Sequence, residues 1–272
     1  MMNIAVIQSV YKNDKPEYLI KSIRSILGQT FHDFDYYIGI DGPIEDNLRN
    51  VLTSATDPRI CILENKGNKG LAGILNDLLQ KCKKEGYEYI ARMDSDDIAL
   101  PDRFEKQINF LESHKEIDLV GGAINEIDEH GNNRGKITKY PCTPNKCRKF
   151  FAKRNPVAHP TVMFRRSFFE KAGWQYPTDF ERNEDTRLWH EGYKHGCAIA
   201  NLPDVILNFR MTDSMFKQRR NGKAFAKSQL ELRKLIRRDL NYGFIAGVYA
   251  YAMYLLMISP SWVLKFAYKI LR

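Results

Sequence analysis

Short apolar runs alternate with amphipathic stretches through the first half of the chain. Asn3 to Gln8 reads as a buried strand, and Pro16 to Leu27 as a helix with Tyr18, Leu19, Ile23, Ile26 and Leu27 on one face. Tyr36 to Ile40 is a second strand, closed by the turn Asp41-Gly42-Pro43, and Ile60 to Leu63 is a third. Leu71 to Cys82 places Leu71, Ile74, Leu75, Leu78 and Leu79 at helical spacing. Tyr89 to Met93 is a fourth strand and runs directly into Asp94-Ser95-Asp96-Asp97. A helix follows, with Pro101 near its first turn and Phe104, Ile108 and Leu111 on one face. Alternating strands and helices with short connections predict an α/β fold, a mostly parallel sheet covered by helices on both faces.

In such sheets ligands sit beyond the carboxyl ends of the strands. Three polar clusters fall there: Ser9 to Asp14, Asp41-Gly42, and Asp94 to Asp97. After Leu119 to Ile127 the pattern loosens. Asp128 to Gly135 predicts a polar hairpin turn, Asn145 to Ala152 a short helix, and Thr161 to Phe164 a strand. Glu184 to His195 predicts a helix, and Ala198 to Arg210 two short strands around Pro203. No repeat or low-complexity linker interrupts this region, so residues 1–209 are expected to form one domain.

The remainder, 210–272, differs. Gln218 to Asp239 is a basic helical pattern, and Asn241 to Leu264 holds no charged residue. Roughly 20 apolar residues suffice to cross a bilayer, but Ser259-Pro260-Ser261 interrupts this run. Two pieces are expected: an apolar helix to about Ile258, then a helix capped by Ser259 with Pro260 at its first position. In the second piece Trp262, Phe266 and Ile270 share one face and Lys265, Lys269 and Arg272 another, as in an interfacial helix. Packing of the tail on the domain or on a second subunit is the alternative.

Composition sharpens this division. The 272 residues are 43% hydrophobic and 12% aromatic, enough for a substantial core. The formal charge is +9, yet residues 210–272 hold 13 Lys/Arg against 3 Asp/Glu, and the rest of the chain is close to neutral. A basic tail suits an anionic membrane surface, a phosphate-bearing substrate or nucleic acid. Its aromatic residues do not interleave with the basic ones as a nucleic-acid stacking platform requires, so no nucleic-acid partner is expected. Five cysteines without a CxxC pair and no basic leader before an apolar run fit reduced thiols in the cytoplasm. With the tail, this places the protein peripherally on the inner face of the cell membrane.

Asp-x-Asp at a strand end can offer hard oxygens to Mg²⁺ or Mn²⁺, which then offsets diphosphate charge. On its own the run reads equally well as a solvated turn capping the next helix. Further segments change that balance. They are Ile7-Gln8-Ser9-Val10-Tyr11, Ser25-Ile26-Leu27-Gly28-Gln29-Thr30-Phe31, Asp41-Gly42, Asn68-Lys69-Gly70-Leu71-Ala72 with Asn76, and Tyr89 to Ile98 followed by Leu100-Pro101-Asp102-Arg103. Beyond them come Asn155-Pro156, His159-Pro160-Thr161-Val162-Met163, and Glu184-Asp185 with Leu188-Trp189. In this order, over about Met1 to Arg210, the chain resembles glycosyltransferase family 2 with its GT-A fold. The tail resembles that of the subgroup making bacterial exopolysaccharides and O-antigens.

The resemblance implies roles. Asp96 matches the principal metal ligand, and Asp94 with Ser95 lies near the ribose or the metal. Asp41 matches the acid that contacts the base, usually uracil; Ser9 and Tyr11 line the base pocket, and Lys69 touches the nucleotide. Asp185 matches the catalytic base, Glu184 beside it positions acceptor or donor sugar, and His159 resembles an acceptor-side position, with a structural strand-adjacent histidine as the alternative. Asp97 then serves as a cap. Two departures concern the pocket: the family usually has Pro where Ser9 stands and a second acid where Ile40 stands. From residue chemistry, Trp174 can stack on an acceptor sugar or fill a core. Arg219 and Arg220 can close over the diphosphate or form a solvated basic cluster.

The expected function is an inverting, metal-dependent glycosyltransferase with Mn²⁺ or Mg²⁺. It would move a hexose from a UDP-sugar to a hydroxyl of a saccharide, lipid-linked in surface polysaccharide biosynthesis. Alternatives are a sugar-nucleotide nucleotidyltransferase and a non-catalytic membrane-docking protein on the same fold. The first normally has a Gly-rich phosphate loop after its first strand, whereas Ser9 to Asp14 has no glycine.

Overall fold

The side chains of the first strand divide between two cores. In the computed structural model, which describes residues 4–180, 182–212 and 223–259, β1 (Ile4–Val10) sends Ile4, Val6 and Val10 to one hydrophobic cluster. Ala5 and Ile7 go to the other, as the two-residue period of a strand buried on both faces dictates. β1 is flanked in parallel by β2 (Phe34–Asp41) and β4 (Tyr89–Met93), with β3 (Ile60–Asn65) parallel beyond β2. On one face lie α1 (Pro16–Leu27), α2 (Asp46–Ser54) and α4 (Arg103–Ser113), which bury Ile23, Leu48 and Phe104 among others. On the other lies α3 (Gly70–Glu85), packing Leu75, Leu78 and Leu79.

Beyond β4 the sheet becomes mixed. Its order among the described residues is β3-β2-β1-β4-β8-β6-β9-β5. Here β5 is Ile98–Ala99, β6 Leu119–Ile127, β8 Met163–Arg165 and β9 Ile199–Arg210. β7 (Asn133–Thr138) pairs with β6 across the turn expected at Asp128. β8 is antiparallel to both β4 and β6, while β6 and β9 are parallel. β9 corrects an expectation, because one strand stands where two were read around Pro203. Gly122 pairs with Leu202 and Ala123 with Val205, so Pro203 and Asp204 bulge out of the ladder and the strand continues.

Three short helices, α5 (Pro144–Phe151), α6 (Arg166–Ala172) and α7 (Glu184–Lys194), complete the α3 side. The basic helix α8 (Lys223–Asp239) packs there too, burying Leu232 and Ile236 in the cluster that holds Trp189 and Tyr193. α9 (Phe244–Ile258) folds back on α8 and leaves Phe244, Ile245 and Leu255 exposed at 77%, 71% and 61%. No helix among the described residues is long and apolar enough to cross a membrane. The interfacial helix expected after Ser259 lies outside the described residues, as do Arg219 and Arg220.

Two glycines fix where α3 sits. Gly42 turns the chain after β2 at φ 82° with the Asn68 backbone against it. At Gly39 a Cβ would stand 2.6 Å from Ile74 Cγ1 and 3.2 Å from Leu78 Cδ1. Gly39→Ala is therefore expected to overpack this contact and cost about 1–3 kcal/mol, read as a lower midpoint in thermal or urea unfolding.

Candidate active site

The three polar clusters meet at the carboxyl ends of β1, β2 and β4. From β1, the loop Tyr11 to Asp14 closes on itself, with the Tyr11 N–H donating to Asp14 Oδ2 at 3.0 Å. Asp14 is pushed up to about 7 by burial, against the Tyr11 N–H and the Ser95 hydroxyl, with Asp96 and Asp94 adding repulsion. The β1 loop is thus tied to Ser95, and Ser9, half-buried, sits at its root. At the end of β2, the buried Asp41 accepts the Lys69 N–H at 2.6 Å, joining β2 to the start of α3. Lys69 itself turns away, its Nζ 2.6 Å from Asp77. Its backbone, and not its ammonium, faces the Asp41 corner.

The acidic run is gripped from several sides. The Ser22 hydroxyl reaches the Asp94 carbonyl at 2.8 Å, and the Ser25 hydroxyl accepts the Ala99 N–H at 3.0 Å. Gln29 donates to Leu100 O at 2.7 Å and accepts the Phe104 N–H at 3.0 Å. Arg210 of β9 donates its N–H to Asp97 Oδ1 and its Nε to Asp96 O, each at 2.8 Å. Arg103, fully buried, donates to Arg92 O at 2.8 Å. Asp97 is no helix cap: its side chain points inward, and the residue before α4 is Asp102.

Arg92 pairs with Asp94 from a position 1% exposed, and its Nε and Nη1 have no hydrogen-bond partner. Its charge also bears on Asp97, His159, Tyr176, Glu184 and Asp185. An Arg inside the apolar run Tyr-Ile-Ala-Arg-Met was the available signal for this role, since a buried guanidinium requires partners.

Oxygens of Asp94, Asp96 and Asp97 lie within 4.8 Å of one another, and the buried Asp97 Oδ2 has no hydrogen-bond partner. Hard carboxylate oxygens, one of them unsatisfied, fit a divalent cation.

Across Arg92 stand Glu184 and Asp185 in the first turn of α7. Asp185 Oδ1 accepts the Thr186 N–H at 2.5 Å, and Oδ2 accepts Asn155 Nδ2 at 3.0 Å. Burial raises both carboxyls above the ordinary range; Asp185 raises Glu184 further, while Thr186, Arg92 and Arg233 oppose the rise at Asp185. His159 Nε2 lies 3.0 Å from the Tyr176 hydroxyl, and its ring is edge-on to Trp189. Burial, then Arg92, holds this imidazole neutral, well below the usual histidine range. Asn76 grips the Tyr176 backbone on both sides, at 2.6 and 3.0 Å. Trp174 is not drawn into this group. Its ring stacks on Phe169 at 5.3 Å between Lys83 and Arg166, at the C-terminal half of α3, a packing contact.

The family model of glycosyl transferase family 2 matches residues 6–173, most of this site and its sheet. The chain belongs to glycosyltransferase family 2. It is 35% identical over 268 residues to the amylovoran biosynthesis glycosyltransferase AmsE of Erwinia amylovora, covering 97% of each chain. It is 27% identical over 230 residues to the UDP-Gal:alpha-D-GlcNAc-diphosphoundecaprenol beta-1,3-galactosyltransferase of Escherichia coli, covering 84% of this chain and 80% of that one. Among solved structures, S. aureus TarS 1-349 in complex with UDP-GlcNAc is similar with a TM-score of 0.66 at 16% identity, over 93% of this chain and 70% of that one. The family 2 glycosyltransferase described here accordingly has a GT-A fold.

Arg92→Met leaves Asp94 without its ion-pair partner and the surrounding carboxylates without their buried cation. With Asp94 30% exposed, the expected loss is about 2–3 kcal/mol, below the range for a fully buried pair, measured by urea unfolding of the metal-free protein.

Proposed function

We propose that this glycosyltransferase moves a hexose from a UDP-sugar to a hydroxyl of a saccharide acceptor, with inversion at the anomeric carbon. One observation carries the reading: the acidic run of β4 and the Glu184–Asp185 pair of α7 face each other across the buried Arg92. Residues 1–209 would form the catalytic unit and 210–272 a basic and apolar C-terminal segment. Asp96 and Asp94 would hold Mn²⁺ or Mg²⁺, with the Asp97 oxygen nearby. The bound cation would neutralise the diphosphate as it leaves. Asp41, Ser9 and Tyr11 would line the base pocket, and Ser95 would sit beside the ribose.

Asp185 accepts the proton of the acceptor hydroxyl as that oxygen bonds to the anomeric carbon. The bond from that carbon to the diphosphate breaks on the opposite side, and UDP departs. A single displacement inverts configuration. Donors from Asn155 and Thr186 hold the Asp185 carboxylate, and its raised pKa makes it a stronger base than a solvated Asp. Glu184 would position the acceptor. The neutral His159, bonded to Tyr176, would shape the floor beneath it.

The names of two similar proteins support the substrate classes: the E. coli enzyme uses UDP-Gal with a diphosphoundecaprenol-linked sugar, and TarS was solved with UDP-GlcNAc. A role in surface polysaccharide biosynthesis follows the AmsE name. Membership in this family sets aside the nucleotidyltransferase alternative.

A screen of UDP-glucose, UDP-galactose and UDP-N-acetylglucosamine for Mn²⁺-dependent UDP release tests the reaction. Asp185→Asn should lower kcat by about 10²–10⁴-fold, and Asp96→Ala should abolish the dependence on metal. UDP release unchanged in Asp96→Ala would refute the metal assignment. Because the base must be ionised, kcat/KM should fall as pH drops through the raised pKa of Asp185, above the range of an ordinary aspartate.

The lipid-linked acceptor implies an inner-membrane surface. The exposed apolar residues of α9 are rimmed by cations: Arg154 Nε lies 3.2 Å from the Tyr249 hydroxyl, and Lys234 lies 5.3 Å from the Tyr251 ring centroid. Such a face suits the headgroup boundary of an anionic bilayer. The double variant Phe244→Ser/Ile245→Ser should co-sediment less with phosphatidylglycerol vesicles than the unaltered chain. Equal binding would refute the membrane role of α9.

A further inference from the structure

The basic helix α8 reaches the catalytic pair through one guanidinium. Arg233 donates Nη1 to the Phe151 carbonyl at 2.9 Å and Nη2 to Asn155 Oδ1 at 3.4 Å. Its Cζ lies 5.5 Å from the Phe151 ring centroid. Asn155 in turn donates Nδ2 to Asp185 Oδ2 at 3.0 Å and to Thr186 Oγ1 at 2.9 Å. Four residues earlier on α8, the Gln229 amide nitrogen donates to the side-chain oxygen of Asn183, the residue preceding α7. Further along, His190 Nε2 lies 3.3 Å from Asp239. The two helices are therefore fastened one turn before Arg233 and come close again after it.

An asparagine amide has a donor end and an acceptor end of nearly the same shape, so its orientation is set by its neighbours. A guanidinium only donates, and an ionised carboxylate only accepts. Arg233 requires the Asn155 oxygen on its side, and Asp185 requires the nitrogen on the other. The two demands agree. The Thr186 hydroxyl also donates to this oxygen, at 3.0 Å; without Arg233 the amide loses one of the two donors that hold its oxygen there, and a rotated amide would set oxygen against the Asp185 carboxylate.

We propose that Arg233 is a positioning residue for the transfer reaction: acting through the Asn155 amide, it holds the Asp185 carboxylate in one orientation, so that the segment after residue 209 completes the site. This rests on Asp185 being the base. The charged and titratable groups facing Asp185 are Glu184 on its own helix, Arg92 from β4, Arg233 from α8 and Tyr176 from the segment before α7. Arg92 and Arg233 are the cations among them, and both favour the ionised carboxylate. Removing Arg233 takes away one of the two and loosens the hold on the amide; both effects act in the same direction.

The test uses the full chain labelled with ¹³C at aspartate carboxyls, the Asp185 signal being identified by its loss in Asp185→Asn. In Arg233→Met the Asp185 titration midpoint should move to higher pH by about one pH unit. In Arg233→Lys, which keeps the charge but not the planar fork, it should move less. Ile236→Ala loosens the packing of α8 without touching the guanidinium and should leave the midpoint in place. With whichever of the three UDP-sugars releases UDP, Arg233→Met should lower kcat about tenfold or more, with donor KM little changed. An unmoved midpoint and an unchanged kcat in Arg233→Met would overturn the proposal. So would an equal midpoint shift in Ile236→Ala, which would make α8 a brace without a specific link. Unchanged kcat in Asp185→Asn would instead remove the base assignment on which the proposal depends, and the Arg233→Met midpoint would still show whether the link exists.

Discussion

Carboxylates crowded at the end of one buried strand are the constraint that the rest of this structure answers. Asp14, Asp94, Asp96, Asp97, Glu184 and Asp185 act electrostatically on one another there, and burial raises several of them. Uncompensated, such a group would take up protons or push the strand end toward solvent. Arg92, beneath the run, supplies a cation at the centre. Arg210 holds the run by its backbone, donating to Asp97 Oδ1 and Asp96 O, and spans to Asp128 and Glu129 carbonyls at 2.9 and 3.0 Å. A divalent cation would add the charge that the arginines leave unbalanced on the solvent side. The protein's own cations are placed behind and beside the acids, so the face toward the ligand stays negative.

Seen this way, the motif segments that carry the family resemblance are largely scaffolding for that strand end. Ser22 and Ser25 on α1, and Gln29 just after it, hold the loop from Asp94 to Phe104 by its backbone. Arg103 reaches back to the Arg92 carbonyl, and Gln107 one turn on donates to Thr161 O at 2.7 Å and Val120 O at 3.0 Å. The segment His159–Thr161 is thereby fixed against the same helix. Asn76 on α3 fixes Tyr176, which meets His159. Few of these residues can touch substrate. Their chemistry is that of backbone carbonyls and N–H groups that are buried away from secondary-structure partners and must be satisfied individually.

The sheet core was legible in the sequence because strands buried on both faces and helices with one apolar stripe leave strong periodic signals. Pro16–Leu27 and Tyr89–Met93 have the ends read from the sequence. α2 was missed; only Leu48 and Leu52 of its nine residues are buried, too few for a stripe. Pro203 misled because its missing N–H is accommodated by a bulge, which depends on the partner strand β6 and not on the strand itself. In the site, the convergence of the strand-end acids was readable from position, whereas the weight given to Asp94–Asp97 and to Glu184–Asp185 came from the family resemblance. The direction of a side chain was not. Lys69 turns to Asp77 and Trp174 to Phe169, contacts made with residues 8 and 5 positions away that compete with any ligand. The apolar run around Arg92 signals that a buried guanidinium needs partners, but those partners are acids from separate elements, which no local pattern names.

The tail shows why a charge count must be resolved by helical position before it is interpreted. Along α8 the buried or half-buried stripe runs Ala226, Leu230, Arg233, Ile236 and Leu240, at spacings of three and four that keep one face. Arg233 thus occupies a core-facing place, whereas Lys227, Lys234, Arg237 and Arg238 are exposed. A guanidinium in an apolar stripe requires acceptors inside the protein, and it finds them at Phe151 and Asn155. A lysine there would bring the charge but would lack the fork that contacts both at once. The exposed cations answer to a different surface, the one shared with α9. Among the described cations of α8, one arginine is therefore turned toward the Glu184–Asp185 pair, while Lys227, Lys234, Arg237 and Arg238 face outward.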